Sequence, residues 1–341
     1  MKLIIQIPCY NEENALPIAL TALPRTISEI ETVEYLIVND GSRDKTVEVA
    51  RRCGAHHIVN LTKNQGLAVG FMVGLDACLK LGADIIVNTD ADNQYCGADV
   101  DVLVRPILEG RADIVIGERP IDNIEHFSWL KKKLQRLGSW VVRVASNTDI
   151  PDAPSGFRAF SREAAMKMNV VSEYTYTLET IIQAGRKNMA IISVPIRTNP
   201  SLRESRLFKS IGQYIKRSIF TILRVFVMYS PLRFFLSLGL CFFGVGFLIG
   251  LRFLVLMFVY NDSAGHVQSL LLAIALILIG VQTMILGLQA DLIAANRKII
   301  EDVQYRVRQL FYDKEDKKMG EKMGKERDCN GKTSFRRKIR L

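Results

Sequence analysis

Short apolar runs recur along the first two hundred residues. "LIIQIP" (3–8), "YLIVND" (35–40), "HIVNL" (57–61), "DIIVNT" (84–89), "DIVIG" (113–117) and "AIISVPI" (190–196) have the length and β-branched content of strands. Helix-length segments such as "EENALPIALTALPRTISEI" and "GLAVGFMVGLDACLKLG" separate the first five. Strands alternating with helices predict a mainly parallel, doubly wound α/β sheet. Ligands of such sheets sit beyond the carboxyl ends of the strands. Polar residues gather at those ends: "PCYNEE" after the first strand, "NDGSRD" after the second and "TDADNQ" after the fourth.

The pattern changes after residue 230. Phe234 to Leu251 carries no charge, and the apolar run resumes after Arg252 as far as Tyr260. Val267 to Ala290 is uncharged throughout. About 20 apolar residues cross a bilayer as a helix, so spans are expected at about 234–258 and 267–290, joined by the short "NDSAGH" as a hairpin. Lys209, Lys216, Arg217, Arg224 and Arg233 precede the first span; Arg297, Lys298, Arg306 and Arg308 follow the second; the loop has no Lys or Arg. That asymmetry predicts both flanks in the cytoplasm. Arg252 can snorkel outward from the far end of its span. Small residues (Gly239, Gly244, Gly246, Gly250) permit close helix packing, or else face lipid.

The expected organisation is therefore a cytoplasmic domain over 1–206, juxtamembrane amphipathic helices over 207–232, a transmembrane pair over 233–290 and a basic tail over 291–341. Residues 207–229 alternate apolar and basic positions at helical spacing, which suits a membrane surface or packing against the globular domain. The tail has fifteen Lys/Arg against nine Asp/Glu. Beyond about 312 it is charge-rich and core-poor, so disorder near anionic lipid is expected. The net charge of +10 has no aromatic-interleaved basic motif to go with it, so nucleic acid is not an expected partner. The six cysteines are scattered without ligand spacing and read as reduced thiols. Met1 leads straight into a strand, with no pattern of a signal peptide.

A D-x-D pair alone says little, since a chain of this length holds one by chance at ordinary Asp usage. Asp99 and Asp101 fall in a helical stretch and read as solvated or capping residues. Asp90 and Asp92 differ because they end a buried strand, where alternation aims both side chains to one side of the sheet. Two carboxylates that close repel, and a cation relieves the repulsion. Mg²⁺ or Mn²⁺, bound by these carboxylates and by phosphate oxygens of a substrate, fits the pattern. There is no G-x-G-x-x-G after the first strand, which disfavours a dinucleotide-cofactor enzyme, and no P-loop, which excludes a P-loop NTPase.

Taken in order, "IPCYNEE", "VNDGSRD", "TDADNQ", "GERP", "SGFRAFSREA" and "VPIRTNPSLRESRL" resemble the family 2 glycosyltransferases, most of all their polyprenyl- and dolichol-phosphate branch with two C-terminal spans. The resemblance covers about residues 2 to 217; the tail beyond about 312 matches nothing in it. It implies a GT-A fold, a nucleotide-sugar donor, a polyprenyl phosphate acceptor (undecaprenyl or dolichyl) and a divalent metal, and it allows a homo-oligomer through the spans. Residue by residue it implies that Pro8, Tyr10 and Glu12 hold the base and ribose, with Asn39 and Asp40 beside them. The family often has Asp where this chain has Asn39; an amide can hydrogen-bond a base but adds no charge. Asp90, Asp92 and Gln94 match the metal and diphosphate motif. Arg119, Arg136, Ser139 and Arg203 match positions facing the diphosphate and the acceptor phosphate, with Asp92, Arg119 and Arg136 as the catalytic set.

A lipid monophosphate is already ionised near neutral pH, so its attack needs arginines to position one anion beside another rather than a strong base. Single displacement with inversion is expected. Glu179 reads as structural here; with a lipid hydroxyl as acceptor it would serve as base. A processive synthase is disfavoured by the absence of Q-x-x-R-W: Trp129 and Trp140 are not preceded by Arg. A non-catalytic nucleotide-sugar scaffold would be expected to lose the metal carboxylates, which are intact.

Overall fold

The computed structural model describes residues 1–120, 148–170, 176–200, 230–259 and 267–337, with scattered positions between 139 and 146 and between 220 and 227. Arg136, Arg203, the "NDSAGH" loop and most of the amphipathic stretch 207–232 lie outside the described residues. The chain divides into two units, Met1–Ile211 with Glu301–Leu341, and Gly212–Ile300.

The first unit is built on β1 (Lys2–Cys9), β2 (Thr32–Asn39), β3 (His57–Asn60), β4 (Ile85–Asn88), β5 (Ile114–Glu118), β6 (Arg158–Ser161) and β7 (Ile191–Pro195). Each strand expected from the apolar runs is present within a few residues. They form one sheet in the order β3-β2-β1-β4-β6-β5-β7. All neighbours are parallel except β6, which runs antiparallel to both β4 and β5. This strand was not expected. Its four residues "RAFS" are too few to show a period, and only pairing with β4 and β5 makes them a strand.

Strands buried on both faces read as continuous apolar runs, and Leu3–Ile5, Leu36–Val38, Ile85–Val87 and Ile114–Ile116 are all buried. Helices α1 (Leu16–Ala22), α2 (Thr46–Arg52), α3 (Leu67–Lys80), α4 (Val100–Leu108), α5 (Arg162–Lys167) and α6 (Thr177–Arg186) surround the sheet. Between β1 and β4 the strand order reverses, so their carboxyl ends flank the crevice where this class of sheet binds ligands.

One buried polar chain crosses the sheet interior at that reversal. Gln6 donates to Asn88 Oδ1 (2.9 Å), and Asn88 Nδ2 donates to the Gly156 carbonyl (2.9 Å) and to Tyr176 Oη (2.8 Å). A Cβ on Gly74 would lie 2.5 Å from Gln6 Oε1, so α3 reaches the sheet there only through a glycine. Tyr176 stacks on Phe71 at 3.9 Å.

The second unit contains α7 (Pro231–Val259) and the first part of α8 (Val267–Arg337). Both are long and apolar enough to cross a membrane, and their most apolar windows are only 11% and 17% buried, unlike core helices of a soluble protein. They meet through glycines. A Cβ on Gly280 would stand 2.7 Å from Phe243 N, and one on Gly246 2.9 Å from the Ala273 carbonyl. Gly239 also faces this seam, Gly250 touches Ala273 more loosely, and Gly244 has nothing within 4 Å.

Helix α8 continues to Arg337. The residues after about 312 are rich in Lys, Glu and Arg and lack proline, a composition that a helix accepts. The turns from Glu301 to Tyr312, ahead of that charge-rich stretch, belong to the α/β unit. Glu301 pairs with Lys187 (3.1 Å), and Arg308 donates to the carbonyls of Met166 (3.2 Å) and Met168 (2.7 Å) at the end of α5. The Tyr312 hydroxyl, 2% exposed, donates to Asp76 on α3. A cation at a helix C-terminus satisfies carbonyls that the helix itself leaves open.

Gly280→Val should overpack the hairpin seam and lower stability by about 1–3 kcal/mol, whereas Gly244→Val should leave it unchanged. Thermal unfolding of the two variants in detergent checks this.

Candidate active site

The loops after β1 and β2 interlock. Asn11 N donates to Ser42 Oγ (2.9 Å) and Asn11 Oδ1 accepts from Arg43 N (2.8 Å). Glu12 N donates to Thr46 Oγ1 (2.8 Å), and Glu13 both donates to Asp44 (3.1 Å) and accepts from Lys45 N (3.0 Å). Asn11 holds φ +55°, a left-handed conformation that Asn tolerates better than most residues. This lattice fixes the loop that follows Pro8, which is half-buried on β1, with Tyr10 38% exposed and Glu12 buried at 7%.

Asn39 and Asp40 are both buried, with their polar atoms engaged inside the protein. Asn39 donates to Asn60 Oδ1 (3.1 Å) and accepts from Ser42 N (3.1 Å). Asp40 accepts from the N–H groups of Gln65 (2.7 Å) and Gly66 (2.9 Å) at the start of α3. A helix N-terminus attracts an anion, and at "KNQG" the nearest anion is the chain's own Asp40. Gly41, at φ +68°, allows this approach: a Cβ there would lie 2.5 Å from the Lys63 carbonyl carbon.

The carboxylates after β4 have a more charged setting. Asp90 and Asp92 are half-buried. Burial, and then the charge of Asp92, raise the Asp90 pKa to about 7 against the opposing pull of Arg119, the Tyr95 hydroxyl and Arg158. The Tyr95 oxygen accepts from Gly156 N (2.9 Å) while its hydroxyl bonds the Asp90 carboxylate. A Cβ on Gly156 would come within 3.1 Å of Asp90 Oδ2 and 3.0 Å of Tyr176 Oη, so "SGF" brings bare backbone against the carboxylate. Asp92 accepts from Gln94 N (3.1 Å), and Asn93 between them holds φ +56°.

Arg119 directly follows β5 and is gripped by Asp152. Its Nε and Nη2 donate to the two carboxylate oxygens at 2.8 and 2.9 Å, and its backbone N–H donates to the same group at 3.2 Å. Burial works against its charge, but Tyr95 and Asp152 outweigh that and raise its pKa. Charge-assisted forks of this kind fix orientation. Asp152 was not foreseen; the only signal in the sequence was its place in "DAPSGFR". Ser139 is buried, and its Oγ accepts from Ala153 N at 3.4 Å, beside the same loop.

Other expectations resolve nearby. Arg158 is fully buried and donates to the carbonyls of Ser155 (2.7 Å), Ala153 (2.7 Å) and Thr177 (2.8 Å). Burial lowers its pKa to about 10. Asp99 is not solvated: it is 4% exposed and accepts from Arg197 Nε (2.9 Å) and N (2.7 Å), because the short 3-10 turn Gly97–Asp99 aims it at the chain leaving β7. Asp101 pairs one turn along with Arg105 at 3.2 Å. Glu179 is 2% exposed within α6, with Gln183 at 3.5 Å.

Among the described residues no three His, Cys, Asp or Glu side chains gather to hold a metal ion. Two carboxylates suit an ion that takes its other ligands from substrate phosphates and water. The rise of the Asp90 pKa beside Asp92 is the strain that a bound cation would remove.

Comparison with known proteins supplies the family. Residues 4–168 match glycosyl transferase family 2. An uncharacterized protein of Methanocaldococcus jannaschii is 31% identical over 58% of this chain and 81% of its own length. The polyprenol monophosphomannose synthase of Mycolicibacterium smegmatis is 25% identical over 64% of this chain and 84% of its own. The crystal structure of glucosyl-3-phosphoglycerate synthase from Mycobacterium tuberculosis, in complex with Mn²⁺, UDP and glucosyl-3-phosphoglycerate, superimposes with a TM-score of 0.52 at 16% identity, covering 66% of this chain and 78% of that one, and shows the shared GT-A fold.

Two outcomes test the geometry. Asp152→Ala should leave Arg119 as an uncompensated buried charge, costing about 3–5 kcal/mol in chemical denaturation; Asp152→Asn should cost less. With metal chelated, Asp90 binds a proton in the folded state that the unfolded chain has released. Folding stability should therefore fall as pH rises from about 4 to about 7, and Asp90→Asn should flatten that slope in pH-dependent melts. The ordered motifs, the sheet and the matched residues agree: the chain belongs to glycosyl transferase family 2, and is an enzyme of that family carrying two C-terminal helices of membrane-spanning length.

Proposed function

We propose that the protein transfers a sugar from a nucleoside-diphosphate sugar to the phosphate of a polyprenyl lipid, undecaprenyl or dolichyl, with inversion at the anomeric carbon. The observation that carries this reading is the grouping of Asp90 and Asp92 with an Arg119 that Asp152 holds rigid, at the end of the sheet where ligands bind. The similarity to a polyprenol monophosphomannose synthase and the paired apolar helices support a lipid-linked acceptor. The Lys/Arg flanks of the hairpin support a cytoplasmic catalytic domain with both termini on that side.

Pro8, Tyr10 and Glu12 form the floor for base and ribose, with Asn39 and Asp40 bracing the loops around them. Asp90, Asp92 and Gln94 would hold Mg²⁺ or Mn²⁺, which when bound neutralises charge on the diphosphate leaving group. Arg119 adds fixed positive charge beside the same diphosphate. Arg136 and Arg203 position the acceptor phosphate, with Ser139 supporting the adjacent loop. An ionised phosphate oxygen attacks the anomeric carbon from the face opposite the diphosphate. The bond to the leaving oxygen breaks as the new one forms, so configuration inverts. No proton has to be removed from the acceptor, which agrees with Glu179 being buried within its own helix. Orientation and preorganised charge supply most of the rate.

The test is transfer of labelled sugar from a panel of nucleotide sugars to undecaprenyl or dolichyl phosphate by the purified protein. Label should enter an acid-labile lipid in Mg²⁺ or Mn²⁺ and be lost in EDTA and in Asp92→Ala, by about 10²-fold or more. Glu179→Gln should change the rate only a few-fold. If Glu179→Gln abolishes transfer while a lipid hydroxyl accepts the sugar, the phosphate acceptor is wrong.

A further inference from the structure

The loop that carries the two carboxylates is held by a piece of chain far from it in sequence. Residues 197–199, leaving β7, run beside residues 93–96, although β6 and β5 stand between β4 and β7 in the sheet. Tyr95 and Thr198 form an antiparallel bridge, Cys96 N donates to the Arg197 carbonyl (3.2 Å), and Asn199 N donates to the Gln94 carbonyl (2.9 Å). Arg197 anchors this strap to Asp99 through its backbone N–H (2.7 Å) and its Nε (2.9 Å). The Asn199 side chain adds a second grip. Its Nδ2 donates to two carbonyls of the loop at once, those of Asn93 (3.0 Å) and Tyr95 (3.2 Å).

Those carbonyls belong to residues on which both carboxylates depend. Asn93, at φ +56°, makes the left-handed turn between Asp92 and Gln94, a conformation that persists only where surrounding bonds fix it. Asp92 accepts from Gln94 N (3.1 Å) across that turn. Tyr95 is buried, stacks on Phe157 at 5.1 Å and places its hydroxyl on Asp90. One amide therefore secures the turn after Asp92 and the partner of Asp90. Repulsion between the carboxylates works to open this loop, whereas Mg²⁺ in particular demands ligands held close to ideal geometry. An amide suits the position because it offers two N–H donors and no charge. A Lys or Arg could also donate to the carbonyls, but its charge would repel a cation at the carboxylates.

We propose that Asn199 is a positioning residue for the divalent cation: by bonding both carbonyls it holds the loop from Asp92 to Tyr95 in the shape in which Asp90 and Asp92 bind Mg²⁺ or Mn²⁺. The proposal rests on the metal reading of those carboxylates given above and is independent of the identity of sugar or acceptor.

The test is Mn²⁺ titrated into purified full-length protein, with the free ion read by electron paramagnetic resonance. The parent should bind the ion, and Asp92→Ala should lose it. Asn199→Ala and Asn199→Leu, the second close to Asn in size but without its donors, should weaken binding by about tenfold or more. Asp113→Ala removes a comparable clasp at the opposite end of β7, where Asp113 accepts from Ala190 N (2.9 Å), and should leave the affinity unchanged. Every variant should still melt cooperatively in EDTA, because the backbone bonds of the strap remain. Parent affinity in the Asn199 variants overturns the proposal and leaves the metal reading intact. An equal loss in Asp113→Ala assigns the effect to general softening of the sheet, and loss of the cooperative melt in both Asn199 variants makes the residue a structural one; either result overturns the proposal. A parent that binds no Mn²⁺, or undiminished binding in Asp92→Ala, overturns the metal reading and the proposal together.

Discussion

Two carboxylates at the end of one buried strand repel each other, and the surrounding structure is arranged around that repulsion. Asp90 cannot relax away from Asp92: Gly156 presses backbone against it on one side and the Tyr95 hydroxyl holds it on another. Arg119 compensates the charge in part, and Arg119 is itself immobilised by Asp152. Like charges kept close in a low-dielectric site are costly to the free protein, and the proposed cation with a diphosphate would relieve that cost.

Rigidity beneath the site comes from uncharged groups. The chain from Gln6 through Asn88 to Tyr176 and the Gly156 carbonyl is buried and mutually satisfied. A satisfied polar network inside a core specifies one arrangement, because any shift leaves a donor or acceptor unpaired. It ties β1, β4, the turn before β6 and the start of α6 to one another, and these are the elements that carry or contact Asp90. Arg158 extends the same logic, holding the 153–155 turn to α6 through carbonyls.

Helix α8 contributes residues to both units. Within the second, glycines let it pack against α7; within the first, Glu301, Arg308 and Tyr312 dock onto α3, α5 and the end of α6. The turns from Glu301 to Tyr312, read from the sequence only as the start of a basic tail, are part of the α/β unit. Charge content did not reveal this because the docking residues are polar ones whose partners are distant in sequence: Asp76, Lys187 and two carbonyls at the end of α5.

Much of the protein was legible along the chain. Apolar runs of strand length, two long uncharged stretches and the clustering of acid and amide residues at strand ends are local patterns, and local periodicity reports burial directly. Those patterns determined the parallel sheet, the hairpin and the carboxylate pair at Asp90 and Asp92. Tertiary structure decided whatever depends on residues far apart in sequence. It made β6 a strand by offering it two partners, gave Arg119 to Asp152, turned Asp99 inward onto Arg197, and committed Asp40 to the start of α3. A side chain's type limits which partners it can take, but only the folded chain brings one of them within hydrogen-bonding distance.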